Sequence, residues 1–143
     1  MNLIDTDLVL LDQSAETKDE VLQMLADLAE SAGRLNDKAL YIEELYVREA
    51  EAPTNIGFST AIPHGRTDAV KDATLMFIRL KKEIPWNDDQ VHMIFGIAVP
   101  ESTDCRVHLA MLAKVARKIM KEELRNALDA ASTCAEIVAL LED

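Results

Sequence analysis

The amino-acid sequence predicts an α/β domain, a single-domain sandwich in which a small mixed β-sheet is flanked by helices on both faces. Segments 74–80 and 91–99 are β-branched or aliphatic at nearly every position, as central strands covered on both faces are. Helical periodicity precedes and follows them. No repeat, linker or low-complexity tract divides the 143 residues, a length that fits one domain.

In chain order, 8–11 (Leu8-Val9-Leu10-Leu11) reads as a short first strand ending at Asp12. Thr17-Lys18-Asp19-Glu20 has the form of a capping box, and Val21, Leu25, Leu28, Ala29 and Ala32 follow at helical spacing until Gly33, which predicts a helix over 18–32. Asn36 or Asp37 caps a second helix reaching Ala50, with Tyr41 and Leu45 on its inward stripe. From 51 to 65, Pro53, Asn55, Gly57, Ser59, Pro63 and Gly65 are too dense for a helix and predict a structured loop with one short strand at 60–62. Segment 81–90 reads as a polar connection between the long strands and holds the only tryptophan, Trp86. After Pro100 the pattern predicts helices near 105–118, 121–130 and 133–142, the last capped by Ser132 or Thr133.

Composition narrows the function. Hydrophobic residues make up 49% and aromatics only 4%, so the core is aliphatic. A formal net charge of -11 argues against nucleic acid, whose phosphates need clustered Lys and Arg; it fits a partner with a basic face, or plain solubility. The apolar run 91–99 falls far short of the roughly 20 residues that cross a bilayer, so no membrane insertion is expected. The first residues lack a basic region, and Asp5 and Asp7 interrupt any apolar stretch, so no secretory leader is expected. Cys105 and Cys134 are too few for a disulfide framework and fit reduced thiols, which together place the protein in the cytoplasm.

Three histidines need separate readings. His64 stands between Pro63, which fixes its own φ, and Gly65, which keeps a side chain out of the turn. Such a frame can hold a neutral imidazole nitrogen in line with phosphorus, or it can be a turn histidine with no task. His108 lies in the first turns of a helix, with Leu112, Val115 and Ile119 on the same side. There it is either a core histidine bonded to a carbonyl or a neutral imidazole held at a helix N-terminus to bind a phosphoryl oxygen. His92 sits within an aliphatic strand and reads as a strand-face histidine. Arg48 falls within about 20° of Tyr41 around its helix, which carries a guanidinium toward the domain unless it only snorkels. One rigid imidazole, one inward arginine and one imidazole at a helix start suffice to hold a phosphoryl group, since that chemistry needs mainly positioning and charge stabilisation. No cofactor or metal is expected.

Arg48-Glu49, Thr54, Gly57 and Ala61-Ile62-Pro63-His64-Gly65, followed by strand 91–100 and by His108-Leu109 with Leu112-Ala113, resemble the enzyme IIA domains of sugar phosphotransferase systems, of the fructose/mannitol type. The resemblance spans nearly the whole chain. It implies that His64 takes a phosphoryl group on Nε2 from the phosphocarrier protein HPr and passes it to a cysteine of enzyme IIB, with a membrane enzyme IIC served indirectly. It gives Arg48 the phosphoryl charge, makes His108 the second imidazole of the site, and makes Thr54, Gly57, Ser59, Pro63 and Gly65 supports of the phosphoryl loop. Asn55 and Ser59 stand where the family has glycine, and Thr60 where it has an aliphatic residue. Asn tolerates the left-handed region and can keep a turn at 55, whereas Ser59 could offer its hydroxyl to phosphate.

Three other readings remain open at this point. A regulatory, nitrogen-type enzyme IIA would accept phosphate and control other proteins by binding them. A small serine hydrolase would use Ser59 with Asp88 or Asp89 and His108, although Pro63 follows too soon for the helix that a nucleophile elbow needs. Cys105 and His108 form a single isolated CxxH, which is weak support for a metal site.

Overall fold

The computed structural model describes residues 2–142. A short 3₁₀ turn, Thr6–Leu8, leads into β1 (Val9–Gln13), and α1 (Lys18–Ser31) and α2 (Lys38–Glu51) follow. Thr17 caps α1 by accepting from the Glu20 amide, and Gly33 ends it in the left-handed region at φ 74°, where glycine carries no Cβ penalty. Asp37 caps α2, which stops one residue short of Pro53. Three short strands, β2 (Asn55–Gly57), β3 (Thr60–Ala61) and β4 (His64–Arg66), precede the long β5 (Thr74–Trp86) and β6 (Asp89–Val99). The chain ends in α3 (Cys105–Ile119), α4 (Glu122–Ala130) and α5 (Cys134–Leu141).

The six strands form one mixed sheet in the order β1-β5-β6-β3-β2, with β4 also paired to β6. β1 is parallel to β5, β5 antiparallel to β6, and β3 and β4 run parallel to β6 along its other edge. Both faces are covered, and strand alternation shows how. Gly96 and Met76 face α1, where a Cβ on Gly96 would lie 2.6 Å from Cδ2 of Leu25. Leu75, Phe95 and Ile97 face the other way, toward Met111 and Val115 of α3 and Leu141 of α5. Two buried arginines tie the sheet to its surroundings. Arg79 on β5 donates to the carbonyls of Leu128 and Ala131 and to Asp12, and Arg34 donates to Asp5 and to the carbonyl of Ala73.

The polar connection expected at 81–90 is instead the outer half of a long hairpin, and the turn is only Asn87-Asp88, with Asn87 at φ 59°. Lys81, Lys82 and Glu83 are exposed where the register shifts between Arg79 and Ile84, and beyond them Ile84 and Trp86 point inward again. The exposed triplet hid that alternation. The loop expected to carry His64 is likewise a strand. Pro63 has no N–H to give, so the ladder on β6 breaks between Ala61 and His64 and resumes at His64↔Ile97.

Candidate active site

His64 opens β4, and its ring is held at both nitrogens. Nδ1 lies 2.8 Å from the carbonyl oxygen of Ile62, and Nε2 lies 3.1 Å from Nε of Arg48. A carbonyl can only accept and a guanidinium N–H can only donate. The hydrogen is therefore on Nδ1 and the lone pair on Nε2. Burial holds His64 below the ordinary histidine range; the Ile62 carbonyl opposes this, Arg48 adds to it and Glu51 opposes it again. The imidazole is neutral at neutral pH, as a nucleophile must be.

Arg48 comes from the last turn of α2, where its Nη1 also donates to the carbonyl of Ala52. That second bond fixes the guanidinium against the helix end while Nε faces the ring. Tyr41, two turns earlier on the same face, is fully buried, and its hydroxyl donates to the carbonyl of Ile97, the residue paired with His64. The helical-face reading of Arg48 therefore holds.

His108 stands in the first turn of α3, behind its N-cap Asp104, and its ring meets that of His64 edge-on at 5.6 Å between centroids. Its Nε2 is buried without a hydrogen-bond partner among the described residues. The ring is held below the ordinary range by burial first, then by the positive charge it would share space with at His64 and Arg66. Burial and the positive charge of Arg66 keep it neutral. A cleft bordered by Arg48, His64, Arg66 and His108 also holds Glu44, Glu51 and Cys105, and an apolar one on the other side of His64 is bordered by Ile56, Ile62, Leu112 and Ala116.

A neutral, aimed nitrogen beside an arginine and a second imidazole has the chemistry to hold a phosphoryl group. The family described as "Phosphoenolpyruvate-dependent sugar phosphotransferase system, EIIA 2" matches residues 2–143. The chain belongs to that family of phosphoryl carriers. This enzyme IIA chain is 35% identical over 125 residues to the fructose-specific EIIA component of Haloferax volcanii, covering 85% of this chain and 80% of that protein. It is 31% identical over 140 residues to multiphosphoryl transfer protein 2 of Escherichia coli, matching 98% of this chain but only 17% of that longer protein. Among solved structures, the nitrogen regulatory protein IIA-Ntr of Neisseria meningitidis superposes with a TM-score of 0.89 at 30% identity, over 97% of this chain and 96% of that one. Enzyme IIA of the mannitol system of Escherichia coli, in complex with phosphorylated enzyme IIB, shares the fold with a TM-score of 0.83 at 20% identity, over 99% of this chain and 98% of that one.

The remaining loop residues of this enzyme IIA serve the loop rather than the cleft. The Thr54 hydroxyl donates to Glu49 and accepts from the indole N–H of Trp86, so it is spent on tying the end of α2 to the hairpin. Gly57, Phe58 and Ser59 are all left-handed, at φ 86°, 57° and 58°, and make the tight turn between β2 and β3. Asn55 is in extended strand and bonds the hairpin tip at Asn87 and Asp88, so the turn lies two residues later than its character suggested. Gly65 sits in a crowded strand and not in a turn: a Cβ there would meet Cγ of Glu44 at 3.0 Å and push that half-exposed side chain aside.

Ser59 does not reach the cleft. Thr60, next to it, pairs with Met93 while His64 pairs with Ile97, about 13 Å further along β6. Its hydroxyl donates to Glu83 and also meets Nδ1 of His92, whose Nε2 meets Asp129, each contact being 2.6 Å. Neither His108 nor Asp88 nor Asp89 bonds that hydroxyl, so the hydrolase set read from the sequence is not assembled. Sequence reasoning missed the Ile62 carbonyl and Arg66. A backbone acceptor has no residue signature, but Arg66 could have been found two residues beyond His64 had 64–66 been recognised as a strand.

Proposed function

We propose that His64 accepts a phosphoryl group on Nε2 from phospho-HPr and passes it to a cysteine of enzyme IIB, serving sugar uptake through a membrane enzyme IIC. The observation that carries this reading is the fixed tautomer, with N–H on Nδ1 bound to Ile62 and the lone pair on Nε2. As the Nε2–P bond forms, the bond from phosphorus to the donor breaks and the donor atom keeps the electron pair. Arg48 Nε loses its acceptor when phosphorus takes the lone pair and stands beside the new phosphoryl oxygens. The ring then carries hydrogen on one nitrogen and phosphorus on the other, and the Ile62 carbonyl stabilises that cationic form.

Incubation with labelled phosphoenolpyruvate, enzyme I and HPr should give an acid-labile adduct on the wild type and none on His64→Ala. Labelling of that variant would remove the proposal. A regulatory role is favoured by one observation, the 30% identity and TM-score of 0.89 to a nitrogen regulatory IIA. Adding a fructose-type enzyme IIB separates the two readings: label moving to its cysteine supports transport, and label staying on the chain supports regulation.

A further inference from the structure

Arg66 is two residues beyond His64 on β4, so the two side chains leave the same face of the strand while Gly65 faces α2. Its Nε donates to the carbonyl of Thr103 at 2.9 Å and its Nη2 to the carbonyl of Glu101 at 2.8 Å. Those carbonyls belong to the turn that leads into Asp104, the N-cap of α3, and His108 follows one turn later. The guanidinium thus bridges the strand that carries one imidazole and the helix that carries the other. It also borders the cleft they share, where Arg48 and Arg66 are matched by Glu44 and Glu51. Without Arg66 the acidic pair would outnumber the remaining arginine, a poor environment for an incoming phosphoryl group.

We infer that Arg66 is a positioning residue of this cleft, which fixes the entry of α3 so that His108 faces His64 and sets a second cation beside the phosphoryl position. The catalytic part of this inference rests on the proposed phosphoryl transfer; the placement part does not. Lys keeps the charge but cannot hold two carbonyls in a planar fork, and Gln loses the charge.

The test follows the imidazole resonances of His108 against pH by NMR in the wild type, Arg66→Lys and Arg66→Gln, and in parallel the rate at which phospho-HPr labels His64. Arg66→Gln should move the His108 titration up toward the ordinary range, because one of the charges holding it down is gone. Arg66→Lys, which keeps the charge and loses the fork, should titrate between the wild type and Arg66→Gln. Both variants should slow labelling roughly 10- to 100-fold, the scale of a misplaced catalytic partner. A His108 titration in Arg66→Gln that coincides with the wild type overturns the placement, and labelling at the wild-type rate in Arg66→Lys overturns the tether. Should Arg66→Gln not fold, the labelling rate of Arg66→Lys decides alone. If the wild type itself takes no label, the proposed transfer fails, and the titrations still decide where the Arg66 charge acts.

Discussion

An imidazole can attack phosphorus only when its acceptor nitrogen is unprotonated, and His64 meets that condition over a wider pH range than an ordinary histidine. Burial and Arg48 lower its proton affinity, while the Ile62 carbonyl and Glu51 raise it. The acid limb of kcat/KM for phosphoryl acceptance should therefore have its midpoint below the ordinary value of 6.5. Glu51→Gln removes a charge that favours the imidazolium, so the midpoint should move further down. A wild-type midpoint at or above 6.5, or an upward move in Glu51→Gln, would contradict this electrostatic account. At this scale the sequence marked His64, Arg48 and His108 as candidates through a Pro-His-Gly frame, a seven-residue helical spacing and a helix start, each with a bland alternative that only the family resemblance weighed against; the structure brings the three side chains together. It could not show where hydroxyls point: Ser59, which could have offered its hydroxyl to phosphate, bonds Glu83 instead, and Thr54, expected to support the loop, bonds Glu49.

Among the elements, the contact between α1 and β6 depends on the absence of a side chain at Gly96. A Cβ there would lie 2.6 Å from Cδ2 of Leu25 and 3.3 Å from Cε of Met76, and Leu25 is fully buried with little room to yield. Gly96→Ala should cost about 1–3 kcal/mol, as overpacked cores do. It should cost less in a Leu25→Ala background, because the two sites share the same space. Urea titration followed by fluorescence of Trp86, the sole and fully buried tryptophan, reads both values; an unchanged midpoint in Gly96→Ala would show that α1 has slack. The helices were legible because each has an apolar stripe, and α1, α2 and α5 also have a readable cap, whereas α4 follows Lys121 with no side-chain cap; their bounds fall within a residue or two of those read from the pattern. The outer hairpin was not. Its inward positions, Ile84 and Trp86, are separated from the main run by Lys81-Lys82-Glu83 and by Pro85, which read as a loop until pairing with β6 is seen.

For the molecule as a whole, two of the three histidines are held below the ordinary range in the folded state, His64 and His108, both chiefly by burial. The unfolded chain binds protons at these sites first as pH falls, so stability rises with pH wherever the unfolded form holds more protons. Above the ordinary value of 6.5 both states are neutral at these sites and the full stability is present. Below it the unfolded state gains protons that the folded state refuses, and the loss continues until the folded values are passed. Thermal unfolding from pH 8 to pH 5 should therefore show a melting temperature that is flat at first and then falls as pH drops through the histidine range. His64→Gln and His108→Gln each remove one such site and should flatten the fall, and the double variant should flatten it most. A variant that falls as steeply as the wild type would place the acid sensitivity in the carboxylates. The burial that keeps the two rings neutral, as the proposed phosphoryl transfer requires, should thus also make the fold sensitive to mild acid, so that pH dependence of activity and of stability share a cause.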